Sequence, residues 1–258
     1  MTGDSIQSII AMIRSYIYHG DRMKIKTLYR ILLLTLILYL IIVLISSFSN
    51  VAVHTSAQAK AESPLIIIDA GHGGEDGGAQ ADGVLEKDIN LQIADKLADM
   101  LRLSGCRVEE IRNTDISVYD ENADTLRKKK VSDLKNRVEI FNSNKNNTVV
   151  SIHQNKFENS AYNGTQIFYS VHDPKSAVLA EAIRKSVTSL LQNDNTRELK
   201  PAGSDIYILD KAQVGAVIVE CGFLSNPEER AKLTDNKYQS EMAYSIAMGV
   251  LEYLKTTM

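Results

Sequence analysis

Apolar and polar positions along this chain separate into one uncharged N-terminal stretch and, after it, short apolar runs alternating with segments of helical period. Ile31 to Ile45 carries no charge. With Ser46, Ser47 and Phe48 it approaches the roughly 18 to 20 residues that span a bilayer. Lys24, Lys26 and Arg30 precede it, so the positive-inside bias keeps the N-terminus in the cytoplasm. Small residues follow, as Ala57-Gln58-Ala59 and Ala59-Lys60-Ala61, both resembling signal-peptidase sites. Residues 1–59 are therefore expected to be a leader, with its apolar core at 31–48. It is either a cleaved signal peptide or a retained anchor, because the core lies between the lengths typical of each. Met23 to Arg30 makes a short basic n-region, which predicts that translation starts at Met23.

After a polar linker ending at residues 60–64, the pattern alternates strand and helix. Leu65-Ile-Ile-Ile68 is a continuous apolar run, as expected for a strand buried on both faces. Asp88 to Leu103 is expected to be a helix, with Ile89, Ile93, Leu97 and Leu101 spaced by four and Ser104-Gly105 ending it. Asp88 is expected as its N-cap. Arg107 to Ile111 reads as a strand, 112–130 as a polar stretch, and Val131 to Asn142 as a helix. Thr148 to Ile152 and Thr165 to Tyr169 read as strands, followed by a helix from Pro174 to Leu191. Ile206 to Leu209 and Ala216 to Val219 are expected strands, Asn226 an N-cap, and Lys237 to Leu254 the closing helix. Such alternation predicts one α/β domain over 65–258, a mostly parallel twisted sheet with helices on both faces.

Charge narrows the partners. Beyond Ala59 the chain holds 24 basic and 30 acidic residues, which argues against nucleic acid. Two cysteines, Cys106 and Cys221, are too few for a disulfide framework and lack CxxC spacing. They are expected as two buried thiols.

Four residues carry the candidate chemistry. His72 stands in Asp69-Ala-Gly-His-Gly-Gly74, Glu86 in Leu85-Glu-Lys-Asp88, His153 in Ser151-Ile-His-Gln-Asn155, and Glu220 in Val219-Glu-Cys-Gly222. Two histidines and a carboxylate are a common ligand set for catalytic zinc. A second carboxylate beside a bound water can act as general base. His72, His153 and Glu220 each follow a predicted strand, and α/β sheets bind ligands at the carboxyl ends of their strands. The bland alternatives are a tight turn at His72, an exposed helix-start carboxylate at Glu86, and a structural ion pair at Glu220. Asp69 is expected to order the loop or orient a metal-bound histidine. His172 lies in a Pro-containing loop and is expected to be solvated, and His19 and His54 fall outside the domain. Cys221 beside Glu220 raises a rival, a cysteine nucleophile with His153 as base.

At these residues the chain resembles the zinc-dependent N-acetylmuramoyl-L-alanine amidases of the Amidase_3 family. That family has a DxGHGG-like loop, a Glu about 14 residues on, an SxHxN segment and VExGFxSN, all found here in order over about Leu65 to Lys255. Arg112-Asn-Thr-Asp115 resembles its RxTD segment. Within the family the pattern is most like the germination-specific CwlD type of spore-forming bacteria, through Leu126 to Arg137 and Ser204-Asp-Ile-Tyr207. Gln154 departs from the small or apolar residue common at that position.

The resemblance implies one zinc held by His72, Glu86 and His153, with Glu220 catalytic. It also implies hydrolysis of the bond between muramic acid and L-alanine in peptidoglycan, before muramic-δ-lactam formation in spore cortex. Export across the cytoplasmic membrane, to the intermembrane space of the developing spore, goes with that role. Arg137 and Asn155 are expected substrate contacts, against the plainer reading of a helix salt bridge and a loop hydrogen bond. Asn122 to Lys130 is an expected surface for substrate or an activating protein partner. A zinc peptidase acting within the stem peptide and a catalytically silent wall-binding protein are the competing readings.

Overall fold

The computed structural model describes residues 7–15, 18, 25–27, 29–44 and 64–257. Met23, His19, His54, the alanine pairs at 57–61 and the linker up to residue 63 lie outside them. The chain divides into two compact units, Met1–Glu62 and Ser63–Met258. In the first, helix α1 (Ile25–Leu44) is long and apolar enough to cross a membrane, with a mean hydropathy of 2.5.

The second unit is built on a six-stranded sheet in the order β4-β1-β5-β8-β6-β7. Its strands are β1 (Leu65–Ala70), β4 (Arg107–Glu110), β5 (Thr148–Asn155), β6 (Gln166–Tyr169), β7 (Lys200–Pro201) and β8 (Gly215–Phe223). β4, β1, β5 and β8 are mutually parallel, whereas β6 pairs antiparallel with β8 and parallel with β7. The sheet is thus mostly parallel, as the alternation predicts.

Both faces of the central strands are buried, which is why they read as unbroken apolar runs. Ile66, Ile68, Val150, Ile152, Val217 and Val219 face one core, shared with α2 (Glu86–Leu103), α4 (Lys175–Leu190) and α7 (Asn236–Thr257). Ile67, Val149, Ala216 and Ile218 face the other, closed by α3 (Leu126–Phe141) and α5 (Tyr207–Lys211). α2 buries Ile89, Ile93, Leu97 and Leu101 along one stripe. It stops at Gly105, whose φ of 86° suits a residue without Cβ. α6 (Pro227–Leu233) opens on Asn226, whose side chain accepts from the Glu228 and Glu229 amides, as expected.

Several elements differ from the expectations. Ile206 to Leu209 is not a strand: Tyr207–Lys211 forms α5, and Ile208 and Leu209 pack into the core cluster on the α3 side. A short apolar run does not distinguish strand from helix by period. α3 begins five residues before Val131, capped by Thr125, whose hydroxyl accepts from the Lys128 amide. Its first turns, Leu126-Arg-Lys-Lys-Lys130, bury little and so show no apolar period. α2 begins at Glu86, with Asp88 inside its first turn and no side-chain cap. A two-stranded hairpin, β2 (Gln80–Ala81) and β3 (Val84–Leu85), precedes it. It turns at Asp82-Gly83, both with positive φ.

Candidate metal and catalytic centre

His72 lies two residues beyond β1, while His153 and Glu220 lie inside β5 and β8 near their carboxyl ends. The two strands run further than the apolar pattern shows, so His153 and Glu220 are cross-strand partners in register. The sheet order puts these three positions on consecutive strands. Glu86, the first residue of α2, is brought over the same edge by the β2–β3 hairpin; its amide donates to the Ala79 carbonyl at 2.9 Å.

The loop that presents His72 is held from beneath. Arg112 donates to the carbonyls of Ala70 at 2.8 Å, Gly71 at 3.0 Å and Lys87 at 2.9 Å. Arg137 donates to the carbonyls of Ala70 at 3.0 Å and His72 at 2.8 Å. It also pairs with Asp69, which accepts from the Ser151 hydroxyl at 2.6 Å. Asp115 accepts from the Gly74 amide at 2.8 Å and from Lys87 at 2.6 Å. His72 itself has a φ of 62°, an uncommon conformation for a residue with Cβ, and these clamps maintain it.

Two glycines permit the close approach of the side chains. A Cβ on Gly71 would stand 2.1 Å from His153 Nε2, and one on Gly78 would stand 2.6 Å from both Glu86 Oε2 and His72 Cδ2.

Glu86 sits between the two imidazoles. Its Oε2 lies 3.2 Å from His72 Nε2, and its Oε1 lies 2.8 Å from His153 Nδ1. The Ala79 and Gln154 amides donate to it at 2.7 and 3.1 Å, and Asn90 Nδ2 donates at 3.3 Å. The other nitrogen of His72, Nδ1, is 2.9 Å from Asp76 Oδ2. One donor atom from each of His72, Glu86 and His153 lies within 4.8 Å of the others, a spacing able to hold a metal ion. The atoms available are His72 Nε2, His153 Nδ1 and a Glu86 oxygen.

The electrostatics favour positive charge at this point. Burial works against a charged His72, but the hydrogen bonds and charges of Asp76 and Glu86 outweigh it and raise its pKa to about 9. Burial likewise opposes ionisation of Glu86, yet the two imidazoles hold its pKa well below the usual carboxylate range. A field that attracts protons so strongly also suits a divalent cation, and the His/Glu donor set fits zinc. Glu220 differs: burial, reinforced by the Glu86 charge, pushes its pKa up to about 7 despite the nearby histidines. Its Oε2 is buried without a hydrogen-bond partner. A carboxylate so placed is poised to take and release a proton near neutrality.

The other expected residues fall elsewhere. Arg137, an expected substrate contact, is only 2% exposed, with its donors committed to Asp69, Asp133 and backbone carbonyls, so it supports the loop from beneath. Asp69 orders the loop through Arg137 and Ser151 and touches neither metal-site ring directly. Asn155 is half-buried at the end of β5, where its carbonyl accepts from the Leu224 amide. His172 lies away from the cluster, 3.9 Å from Asp210. Cys221 points from the opposite side of β8 into the core, and burial drives its thiol pKa upward, which removes it as a nucleophile. Both cysteines are free, and Cys106 is only half-buried.

Two supports escaped sequence reasoning, Asp76 and Asn90, and Arg112 is marked there only as part of a motif, without its loop-holding role. Asp76 lies four residues after His72, and Asn90 one helical turn after Glu86, so both spacings carried a signal.

Known proteins match this chain in sequence and in fold. The pattern of the N-acetylmuramoyl-L-alanine amidase family, Amidase_3, matches residues 66–252. The chain is 33% identical over 189 residues to the germination-specific N-acetylmuramoyl-L-alanine amidase of Bacillus subtilis, covering 73% of this chain and 79% of that one. It resembles the CwlD amidase of Clostridioides difficile, solved in complex with the GerS lipoprotein, at a TM-score of 0.72 and 42% identity. That match covers 75% of this chain and all of the other. The amidase AmiC2 of Nostoc punctiforme matches at a TM-score of 0.64 and 31% identity, over 74% of this chain and 97% of that one.

Proposed function

The chain belongs to the N-acetylmuramoyl-L-alanine amidase family, and from that membership we propose that it is a zinc hydrolase of spore cortex peptidoglycan. It is an amidase acting on peptidoglycan. The observation that supports the zinc reading is the convergence of His72, Glu86 and His153 within 4.8 Å, beside the unpartnered buried oxygen of Glu220.

In this reading His72 Nε2, His153 Nδ1 and the Glu86 carboxylate hold the ion. Zinc bound there supplies Lewis acidity, lowering the pKa of water and polarising a carbonyl. Asp76 fixes the His72 ring through Nδ1, leaving Nε2 turned toward Glu86. Glu220 accepts a proton from the water that attacks the lactyl carbonyl of muramic acid. It then delivers that proton to the departing nitrogen of L-alanine, so the bond breaks to a carboxylic acid and a free amine. Asn155, at the end of β5, is a proposed substrate contact.

The sporulation role rests on likeness to the germination-specific and CwlD enzymes; in this reading the reaction comes before muramic-δ-lactam formation. α1 and the residues around it act as signal peptide or anchor, delivering the enzyme to the intermembrane space of the developing spore. The complex of the C. difficile relative with a lipoprotein supports a protein partner for this chain; in this reading the partner activates the enzyme and docks on Asn122 to Lys130.

The deciding experiment incubates the full-length chain in detergent with purified peptidoglycan, metal-stripped or zinc-loaded, beside Glu220→Gln. Stem peptides beginning with L-alanine, released only with zinc and lost in the variant, are the expected products by mass spectrometry. Cleavage within the stem peptide would replace this reading with a peptidase. Zinc binding without any cleavage, even with candidate partners added, would leave a wall-binding protein.

A further inference from the structure

The flank of the site beyond β8 carries exposed aromatic rings that the chemistry above does not use. Phe157 and Tyr162 are 55% and 44% exposed, in the segment joining β5 to β6. Their rings meet edge to face at 5.1 Å, and Tyr162 lies against Phe223 at 6.1 Å. The Arg197 guanidinium covers Phe223 at 4.6 Å and Tyr162 at 5.5 Å, and donates to the Asn163 carbonyl at 2.6 Å. The segment is tied down: the Phe157 amide donates to Ser225 Oγ at 3.1 Å, and Asn226 Nδ2 to the Tyr162 carbonyl at 3.3 Å.

We propose that Phe157 and Tyr162 form a carbohydrate subsite that holds the glycan strand while the muramoyl amide occupies the centre. Phe157 lies four residues past His153, and Phe223 three past Glu220, so the platform continues the two strands that carry the chemistry. Three extended residues span roughly 10 Å, a short step along a polymeric substrate. A pyranose ring presents a face of C–H groups edged by hydroxyls. That face suits flat aromatic rings, with amide and guanidinium groups at their margin for the hydroxyls. The opposite flank differs in kind. There Lys129 binds Glu75 at 2.8 Å and Lys130 lies 3.4 Å from Asp76, a surface of paired charges without exposed rings. Exposed rings rimmed by polar groups commonly mark binding surfaces, and Arg197 links this one to Gln166, the partner of Glu220 in register across β6 and β8.

The proposal rests on the amidase reading, and its test separates the two. The full-length chain in detergent is titrated calorimetrically with a β-1,4-linked N-acetylglucosamine tetramer and, separately, with a stem pentapeptide. Wild type binds the tetramer; Phe157→Ala weakens it roughly tenfold, and Phe157→Trp restores it. On intact peptidoglycan, Phe157→Ala raises KM and leaves kcat unchanged. Absence of tetramer binding by wild type, or equal binding by Phe157→Ala, overturns the subsite; so does a loss confined to the pentapeptide. Phe157-dependent tetramer binding by a protein that cleaves nothing would uphold the subsite and remove the amidase reading. Cleavage of peptidoglycan with an unaltered KM in Phe157→Ala would do the reverse.

Discussion

Arg137 donates to the backbone carbonyl of His72 at 2.8 Å while pairing with the buried carboxylate of Asp69. A helix residue from one face of the sheet thereby fixes the loop that presents a candidate metal ligand. The ion pair does not merely join α3 to β1: it fills the space under a left-handed residue whose backbone has no regular hydrogen-bonding partner. Opposite charges at Asp69 and Asp133 offset burial and keep the guanidinium charged.

Arg137→Met is therefore expected to destabilise the protein by about 3 to 5 kcal/mol, because it strands a buried Asp69 charge. Pairing it with Asp69→Asn should recover much of that loss. Urea denaturation of the two variants measures both. If the double variant is as unstable as the single one, the loop contacts to Ala70 and His72 outweigh the charge pair.

Asp76 is predicted to set zinc affinity. It holds His72 Nδ1 at 2.9 Å, and such carboxylates orient a ligating ring. Asp76→Asn should weaken zinc binding about 10- to 100-fold, measured by competition with a chromophoric chelator. An unchanged affinity would show that the clamps on the loop orient His72 without help.

The amino-acid pattern made the centre legible for a geometric reason. Buried parallel strands announce themselves as apolar runs, and the chemistry of such a sheet gathers where those runs end. His72, His153 and Glu220 were readable on that basis, and Glu86 only through their company. Where burial is partial the signal fades. Leu126 to Lys130 is helical yet solvent-facing, and Ile206 to Leu209 is apolar in a segment too short to show a period. Arg137 read equally as a substrate contact or a helix salt bridge, because charge ordinarily means surface and does not show its partner. Nothing in its local sequence reveals that Asp69, 68 residues away, awaits it underneath the loop.

A prediction about stability concerns Asp95 on α2. Burial and the neighbouring Glu110 carboxylate push its pKa up to about 6. The folded state thus holds a proton that the unfolded state releases between pH 4 and 6, and stability falls as pH rises through that window. Asp95→Asn should remove the fall and stabilise the protein above pH 6. Solvent screening at this half-buried site limits the gain to about 1 kcal/mol. Thermal melts at pH 4 and 8 would show it as a gain that grows toward the higher pH.

Glu220 sets function against stability in the metal-free protein. Its pKa, raised to about 7, exceeds the value of 4.5 for a free glutamate. The folded state therefore binds the proton more tightly, and stability declines as pH rises from about 4.5 to 7. Glu220→Gln is expected to abolish that decline and make the metal-free protein more stable at pH 8, by on the order of 2 kcal/mol. In the proposed chemistry the same change removes the general base, so activity with zinc should drop by roughly 10² to 10⁴-fold while zinc affinity holds. The pair of measurements is decisive because the two effects have opposite sign. A variant that lost activity and stability together would mark Glu220 as a structural carboxylate. A gain in stability at pH 8, with activity gone and metal retained, would identify it as a group held at an energetic cost for the proton it moves.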